Sequence, residues 1–182
     1  MSKKAIVFPG IGYHKDKPLL YYAGCLAREA GYKLQYVDFS GISWEKADLQ
    51  DPVKIREIFS QALGKALSEV ELTADDELLF ISKSIGTVVA AYFAREKGLD
   101  AKQIYFSPLV PLKMYADEGG IAFFGDNDPL ADAAEIGKIC EEKKIEAHRI
   151  AGGNHSLETG DTEENLRNLS EIMRSVKSYI TI

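Results

Sequence analysis

The chain has 182 residues, 46% of them hydrophobic and 27% charged, a composition typical of a globular protein with its own core. The formal net charge is −6, and no segment concentrates lysine and arginine, so neither nucleic acid nor an anionic membrane is expected as a partner. No apolar segment is long enough to span a bilayer, and the run 5–8 is too short for the core of a signal peptide. These features predict one domain, residues 1–182, in the cytoplasm.

Cys25 and Cys140 lie far apart in predicted helices and form no C-x-x-C pair. We expect both to be buried thiols in a reducing compartment. With only three histidines in the chain, no zinc pattern can be assembled.

Apolar runs of strand length alternate with helical periodicity along the chain. In chain order the predicted elements are a strand at 5–8, a helix at 18–30, a strand at 33–39, a helix from 51 to about 70, a strand at 77–82, a helix at 85–97, strands at 103–107 and 120–125, a helix at about 131–143, a strand at 145–150 and a helix from about 161 almost to the C-terminus. Strands that alternate with helices predict an α/β fold, a three-layer α/β/α sandwich around a mainly parallel, six-stranded sheet.

Three chemically reactive residues follow three of the predicted strands. The strand 77–82 is apolar without alternation, which is typical of a central strand buried on both faces. Ser84 follows this strand, Asp128 follows a later one, and His155 follows the last one. Because ligands bind beyond the carboxyl ends of parallel strands, we expect these side chains to share one cleft. Serine, carboxylate and histidine together are the residue types of nucleophilic catalysis.

The segment 82–86 joins the central strand directly to the helix 85–97. A turn this tight strains the backbone at Ser84 and crowds the residues two positions before and after it. Ser82 and Gly86 are both small enough for those positions. The alternative interpretation is that Ser84 only caps the helix.

This spacing at a strand-to-helix junction resembles the G-x-S-x-G nucleophile elbow of α/β hydrolases, with Ser82 in place of the first glycine. Lys83 before the nucleophile resembles the G-K-S-x-G variant of small members that have no lid. The resemblance covers nearly the whole chain, and the segment 108–119 is too short to hold a lid. It implies a minimal α/β-hydrolase fold with strand order 2-1-3-4-5-6 and Ser84 as the nucleophile.

The same resemblance implies an acid after the fifth strand, where the family pattern G-x-x-D selects Asp128 behind Gly125. Pro129 biases Asp128 toward an extended backbone, which helps to fix its direction. Asp126 is the alternative acid. A further alternative is that both carboxylates only cap the next helix.

His155 is the implied base, because Gly152 and Gly153 before it resemble the family's G-x-x-H loop after the last strand. A neutral imidazole can take the Ser84 proton and return it to the leaving group, provided that a carboxylate holds the other ring nitrogen. His148 is predicted to lie within a strand, and His14 in the first loop is expected to line the cleft.

The segment 9–12 follows the first strand, where the family carries an H-G-x-G oxyanion segment, with Pro9 in place of histidine. We expect the backbone N–H groups of Ile11 and Ile85 to donate to the oxyanion. Interpreted instead as a dinucleotide-binding motif, these glycines would need a third glycine where Lys15 stands.

The sequence thus predicts a serine hydrolase that cleaves a small carboxylic ester or thioester through an acyl-enzyme, without a metal or an organic cofactor. A carboxylesterase is favoured over a thioesterase or an amidase. The possible substrate-lining residues are Tyr13, His14, Lys83, Leu109, Met114 and Tyr115. Lys83 is expected to be an exposed cation at the rim of the cleft, or alternatively a guide for an anionic substrate. The alternative function is a binding or scaffold protein of the same fold with weak or no catalysis.

Overall fold

The computed structural model describes residues 2–45, 48, 51–73 and 76–182. The strands in this part of the chain are β1 (Ser2–Phe8), β2 (Lys33–Tyr36), β3 (Asp76–Lys83), β4 (Ala101–Phe106), β5 (Ile121–Gly125) and β6 (Glu146–Ile150). The helices are α1 (Pro18–Glu29), α2 (Pro52–Glu69), α3 (Ile85–Lys97), α4 (Leu112–Tyr115), α5 (Ala133–Glu142) and α6 (Thr162–Thr181). None of these helices is long and apolar enough to cross a membrane.

The strands form one six-stranded sheet in the order β2-β1-β3-β4-β5-β6, and every neighbouring pair is parallel. This confirms the predicted sheet and its order. β3 pairs with β1 on one side and with β4 on the other, and its last six residues are buried. The carboxyl end of β3 therefore opens near the middle of the sheet edge, between loops that come from both sides.

Helices cover both faces of the sheet, as the sequence predicts. α1 and α6 pack on the face to which Val7, Leu79 and Ile81 point. α2 and α3 pack on the opposite face, which carries Ile6 and Phe80, and α5 extends this layer over β4 and β5. The alternation of side chains along each buried strand thus supplies one core to each helical layer.

Short polar side chains fix the starts of the helices where the sequence predicts them. The Asp51 carboxylate accepts a hydrogen bond from the Val53 amide at 2.8 Å, and Asp161 does the same for the Glu164 amide at 2.8 Å. Both bonds satisfy amides that have no partner within the helix. At the other end of α3, Gly98 adopts a φ of 61°, which stops the helix.

β2 is shorter than the predicted strand 33–39. The amide of Val37 still bonds to the carbonyl of Val7, at 3.0 Å, but the chain then leaves the sheet. Val37 and Phe39 are both buried in the core beneath α2 and α3, and Phe39 is buried there without belonging to the sheet. Hydrophobicity alone does not distinguish these two kinds of burial.

Three further details differ from the sequence prediction. β4 begins at Ala101, two residues before the predicted start, because its first residues pair with β3 although they are not an apolar run. The one-turn helix α4 was not predicted, since one turn is too short to show a periodicity. Cys140 is buried as expected, whereas Cys25 on α1 is only partly buried.

The loops that follow β5 and β6 cross in direct contact. A Cβ atom on Gly125 would overlap the carbonyl group of Gly153. Beside this crossing, the Asn127 amide donates to the same carbonyl at 3.0 Å and the Asp126 amide donates to Ile150 at 3.2 Å. The absence of a side chain at Gly125 therefore allows the two loops to be joined backbone to backbone.

We predict that Gly125→Ala lowers the free energy of unfolding by about 2 kcal/mol or more, because the methyl group must push the two loops apart. Gly137→Ala is the matched control. Its nearest neighbour would be Phe124 at 4.0 Å, and it lies within α5, so this change should stabilise the protein by about 0.5–1 kcal/mol. Urea denaturation of both variants measures the difference, and equal stabilities would contradict the crossing.

Candidate active site

Ser84 lies in the turn between β3 and α3 with φ 56° and ψ −125°. Residues other than glycine rarely adopt this left-handed φ, and such strain is found at functional sites. The surrounding backbone holds the turn: the Ser84 amide donates to Phe106 on β4 at 2.9 Å, and the Thr87 hydroxyl donates to the Ser84 carbonyl at 2.7 Å. The Ser84 side chain makes no capping bond to α3. The interpretation of this serine as only a helix cap is therefore wrong.

The neighbours of Ser84 show why the turn needs small residues. A Cβ atom on Gly86 would overlap the carbonyl groups of Phe8 and Pro9 at the end of β1. Ser82 is fully buried, and its hydroxyl donates to the Ile104 carbonyl on β4 at 3.0 Å. α3 can thus begin directly behind the strand because its first turn packs against bare backbone.

The structure brings Ser84, His155 and Asp128 into hydrogen-bond contact. His155 Nε2 lies 2.7 Å from Ser84 Oγ, and His155 Nδ1 lies 2.7 Å from Asp128 Oδ2. The Asp128 side chain is 2% exposed and that of His155 is 22% exposed, so of these two side chains the histidine is the one that reaches solvent. Loops from three strands supply this chain of hydrogen bonds.

The electrostatics of the site assign the protons. Burial raises the pKa of Asp128, but the hydrogen bond and charge of His155, the Leu130 amide and the charge of Lys83 outweigh it and hold this pKa below its usual value. The ionised carboxylate can only accept, so Nδ1 of His155 carries the proton. Nε2 is then left as the acceptor for the Ser84 hydroxyl.

His155 is neutral at neutral pH, because burial lowers its pKa and the Lys83 charge adds to this effect. The hydrogen bond and the charge of Asp128 oppose the shift without reversing it. An uncharged imidazole beside a hydroxyl can accept the hydroxyl proton. The site can therefore generate an oxygen nucleophile at Ser84.

Asp126, the alternative acid, has a different role. Its Oδ1 accepts from the Gly152 amide at 2.6 Å, and its Oδ2 lies 3.3 Å from Arg149. These contacts tie the loop after β5 to the loop after β6. Asp126 therefore supports the backbone near His155, and it is Asp128 that contacts the ring. Neither carboxylate caps α5, whose N-cap is Asp132.

Lys83 contradicts the expectation of an exposed cation at the rim. Its side chain is fully buried, and Nζ donates to the backbone carbonyl of His155 at 2.6 Å. Nζ also lies 5.1 Å from the centre of the Tyr13 ring. Burial lowers the pKa of Lys83 to about 7, and the charge of Asp128 opposes this shift. The strand alternation contained the signal, because Lys83 shares its face with the buried Leu79 and Ile81.

Ser107 at the end of β4 was missed in the sequence. It is fully buried with φ 43°, and its hydroxyl donates to the His155 carbonyl at 2.9 Å. Its amide donates to Phe123 on β5 at 2.7 Å. A serine before a proline at a strand end gives no signal of such a long-range contact.

The loop after β1 turns tightly beside Ser84. The amide and carbonyl groups of Gly10 and Tyr13 bond to each other at 3.2 Å, with Gly12 at φ 77° in the turn between them. A Cβ atom on Gly10 would lie 3.2 Å from the Ser84 Cβ atom, so the turn packs against the serine. Within the described residues, the Ile11 amide makes no hydrogen bond, and neither does the Ile85 amide at the start of α3. Both amides that the sequence predicts as oxyanion donors therefore have no hydrogen-bond partner in this part of the chain.

A groove of about 630 Å³ lies on the other side of this turn, at the ends of β1 and β2. Its apolar lining includes Ile11, Phe39, Ile42 and Trp44, and the Trp44 ring covers Gly12 so closely that a Cβ there would be 2.9 Å away. The other lining residues are Pro9, Gly10, His14, Lys15, Asp16, Tyr36, Val37, Asp38, Ser40 and Gly41. His14 lines this groove, whose lining does not include Ser84, and its predicted place in the substrate cleft stays a prediction.

Some of the remaining residues that were predicted to line the cleft lie elsewhere. Leu109 packs partly buried against the core beneath α3, the cluster that also contains Ile85. The ring of Tyr13 lies beneath Lys83, and its pKa is raised to about 12, chiefly by burial. Met114 and Tyr115 were wrongly placed in the cleft. The chain of α4 runs back along α3, so that Met114 accepts a hydrogen bond from Arg95 and Tyr115 packs on Tyr92 and Phe59.

Comparisons with solved structures identify this architecture. A protein from Xanthomonas campestris pv. campestris assigned to the α/β-hydrolase superfamily superposes with a TM-score of 0.70 at 14% identity, over 98% of this chain and 97% of that one. An α/β serine hydrolase without a lid from Xanthomonas campestris gives 0.63 at 16% identity, over 98% and 80%. The esterase Pf2001 of Pyrococcus furiosus gives 0.65 at 13% identity, over 98% and 82%.

The chain has the α/β-hydrolase fold. No protein-family model matches the sequence, and no curated protein is significantly similar to it. At the identities found, the structural likeness establishes the fold alone. The side chains around Ser84 carry the information about what this chain does.

We predict that His155 titrates below pH 6.5, the usual value for histidine, and that Asp128→Asn lowers its midpoint further. The carboxylate charge favours the protonated ring, and the substitution removes that charge. Titration of the ring nitrogens by 15N NMR measures the midpoint. Asp126→Asn is the matched control and should leave the midpoint unchanged, because Asp126 bonds to a backbone amide and not to the ring. The reverse ranking would show that the acid is misassigned.

Proposed function

We propose that the protein is a serine hydrolase that cleaves a small carboxylic ester or thioester through an acyl-enzyme on Ser84. One observation carries the proposal: a serine hydroxyl on a strained turn lies 2.7 Å from His155 Nε2, whose other nitrogen lies 2.7 Å from the buried Asp128. A nucleophile, a base and a group that orients the base are the parts that acyl transfer needs.

The proposed reaction has two halves. Ser84 Oγ attacks the carbonyl carbon while its proton passes to His155 Nε2. His155 returns that proton to the leaving oxygen or sulfur, and the acyl group stays bonded to Ser84. A water molecule then gives a proton to His155 and attacks the acyl carbon, which releases the carboxylic acid and restores the Ser84 hydroxyl. Asp128 keeps the ring in the required tautomer and stabilises the imidazolium that forms in each half.

The negative charge that develops on the carbonyl oxygen would be held by the amides of Ile11 and Ile85. Both amides are without an internal partner among the described residues. Gly10 packs the turn that carries the Ile11 amide against Ser84. The second amide also belongs to the N-terminus of α3, where the helix dipole favours a negative charge. A donor of this kind contributes about 3 kcal/mol to transition-state stabilisation.

The same geometry gives a direction to the substrate. The leaving group has to face His155, which reaches Ser84 from the β6 side of the sheet. The carbonyl oxygen has to face the start of α3. The acyl substituent is then directed toward β1 and β2. The groove beneath Trp44 lies there, separated from Ser84 by the turn that contains Gly10. A groove of about 630 Å³ is large enough for an acyl group longer than acetyl.

An oxygen ester is the preferred substrate within this proposal. The Pyrococcus furiosus protein of similar structure is named as an esterase, and the cleft lacks an inserted lid, because only the short α4 lies between β4 and β5. Short esters can reach an open site of this kind without a conformational step.

A fluorophosphonate probe tests the proposal directly, because it bonds covalently only to an activated serine. We expect the probe to label the wild-type protein and to fail on Ser84→Ala, with p-nitrophenyl acetate hydrolysis lost in parallel. Intact-protein mass spectrometry reads the label, and circular dichroism checks that both proteins are folded. Well-folded wild type that stays unlabelled would favour a binding or scaffold role for the fold instead.

The acyl groove generates its own prediction. Trp44→Ala should change the preference among p-nitrophenyl acetate, butyrate and octanoate, raising KM for the longer acyl groups by about tenfold through lost apolar contact. Acetates with different alcohols form the control series, and their relative rates should not change. If the alcohol series changes and the acyl series does not, the groove binds the leaving group and the assigned direction is wrong.

A further inference from the structure

Lys83 is a buried amine that the proposed reaction does not use. It is fully buried at the end of the central strand, and among the described residues it forms no ion pair with a carboxylate. Removing an amine from water without a close counter-ion is costly, and this cost has lowered the pKa of Lys83 to about 7. A methionine would fill the same space without this cost, so the presence of a lysine here indicates a specific role for the amine.

The only hydrogen bond of Nζ within the described residues goes to the backbone carbonyl of His155, at 2.6 Å. The same oxygen accepts the Ser107 hydroxyl at 2.9 Å. The two donors come from the ends of β3 and β4, which are fixed by their pairing in the sheet. The loop that carries the base is thus held at one oxygen atom by two side chains of the rigid core.

The position of Lys83 in the sequence places this contact next to the nucleophile. Lys83 directly precedes Ser84, so one peptide unit separates the nucleophile from the side chain that holds the base. A displacement of the loop after β6 relative to β3 would therefore change the bond from Nζ and the distance between His155 Nε2 and Ser84 Oγ together. A loss of about 1 Å in this alignment is enough to slow catalysis about 100-fold.

The charge of Lys83 acts on the same histidine. The groups that face its ammonium are Asp128 from the loop after β5, His155 from the loop after β6 and the Tyr13 ring from the loop after β1. The charge of Glu158 acts on Tyr13, whose pKa it helps to raise. The ammonium disfavours a second positive charge on the ring, which keeps the resting imidazole able to accept a proton.

We propose that Lys83 and Ser107 are positioning residues for the base: their two hydrogen bonds to the His155 carbonyl hold the imidazole against Ser84, and the lysine ammonium repels a second positive charge on the ring. The catalytic consequence rests on the proposed hydrolase function. The contact itself and its effect on the ring do not.

The kinetic test compares three variants. We expect Lys83→Met to remain folded, because it retains the volume of the side chain and removes a buried charge. We expect kcat for p-nitrophenyl acetate to fall about 10- to 100-fold in Lys83→Met and by a smaller factor in Ser107→Ala, with KM within about twofold of wild type. Lys102→Met is the matched control, because Nζ of Lys102 also donates to a backbone carbonyl, that of Ile180, but at the opposite edge of the sheet. This variant should retain full activity.

A second readout requires no turnover. In 15N NMR titrations the His155 midpoint should rise in Lys83→Met, which removes a charge, and should stay in place in Ser107→Ala and Lys102→Met. The downfield proton signal of His155 Nδ1–H should weaken in both Lys83→Met and Ser107→Ala, because the ring is less firmly held against Asp128. These signals are read even if the wild type proves unreactive to the fluorophosphonate, in which case the hydrolase proposal fails and the positioning of the ring is still decided.

A folded Lys83→Met protein with an unmoved His155 midpoint and an unchanged Nδ1–H signal would overturn the proposal. So would a Lys83→Met kcat within twofold of an active wild type. A fall in Lys102→Met equal to that in Lys83→Met would show a general loss of stability instead of an effect on the base.

Discussion

The close contact between the first turn of α3 and the end of β1 is the constraint on which the site depends. Gly86 lies against the carbonyl groups of Phe8 and Pro9, where no side chain fits. Because this space is filled by backbone, α3 starts without a connecting loop, and Ser84 is held at a φ of 56°. The pairing of β3 with strands on both sides supplies the rigidity that this strain requires. The serine, the helix N-terminus and the turn after β1 consequently meet at one point.

Charge balance explains how three ionisable side chains share this buried region. Lys83 and Asp128 attract each other through space, so the charge of each favours the ionised form of the other. His155 lies between these influences, and its own burial decides the outcome in favour of the neutral ring. A neutral base beside an ionised acid is the resting state that proton transfer from a serine needs. Burial therefore sets the protonation of the ring, and the charges of the lysine and the aspartate act on it in opposite directions.

The periodic parts of the sequence predicted the fold, and the parts that depend on distant contacts were not predictable. Buried strands and capped helices have local sequence patterns, which is why most element boundaries agree with the structure. The order of the strands has no local pattern, and it was implied by the resemblance to α/β hydrolases. The burial of Lys83 was not predicted, because a charged residue at a strand end is ordinarily exposed, although strand alternation places it on a buried face. Ser107 has no local sequence signal of its contact with the His155 loop. Met114 and Tyr115 were misplaced because the sequence does not show that α4 turns back along α3. The resemblance to α/β hydrolases favoured Asp128 over Asp126, but the contact of Asp126 with Gly152 depends on the crossing of two loops and has no signal in the sequence.

The crossing at Gly125 and Gly153 couples the acid and the base mechanically. Both loops are joined backbone to backbone at that point, and Asp126 adds a bond to Gly152 next to it. The segments that carry Asp128 and His155 are therefore linked through backbone contacts as well as through the bond between their side chains. A substitution that displaces one of these loops is expected to displace the other, so a change at the crossing should disturb the acid and the base alike.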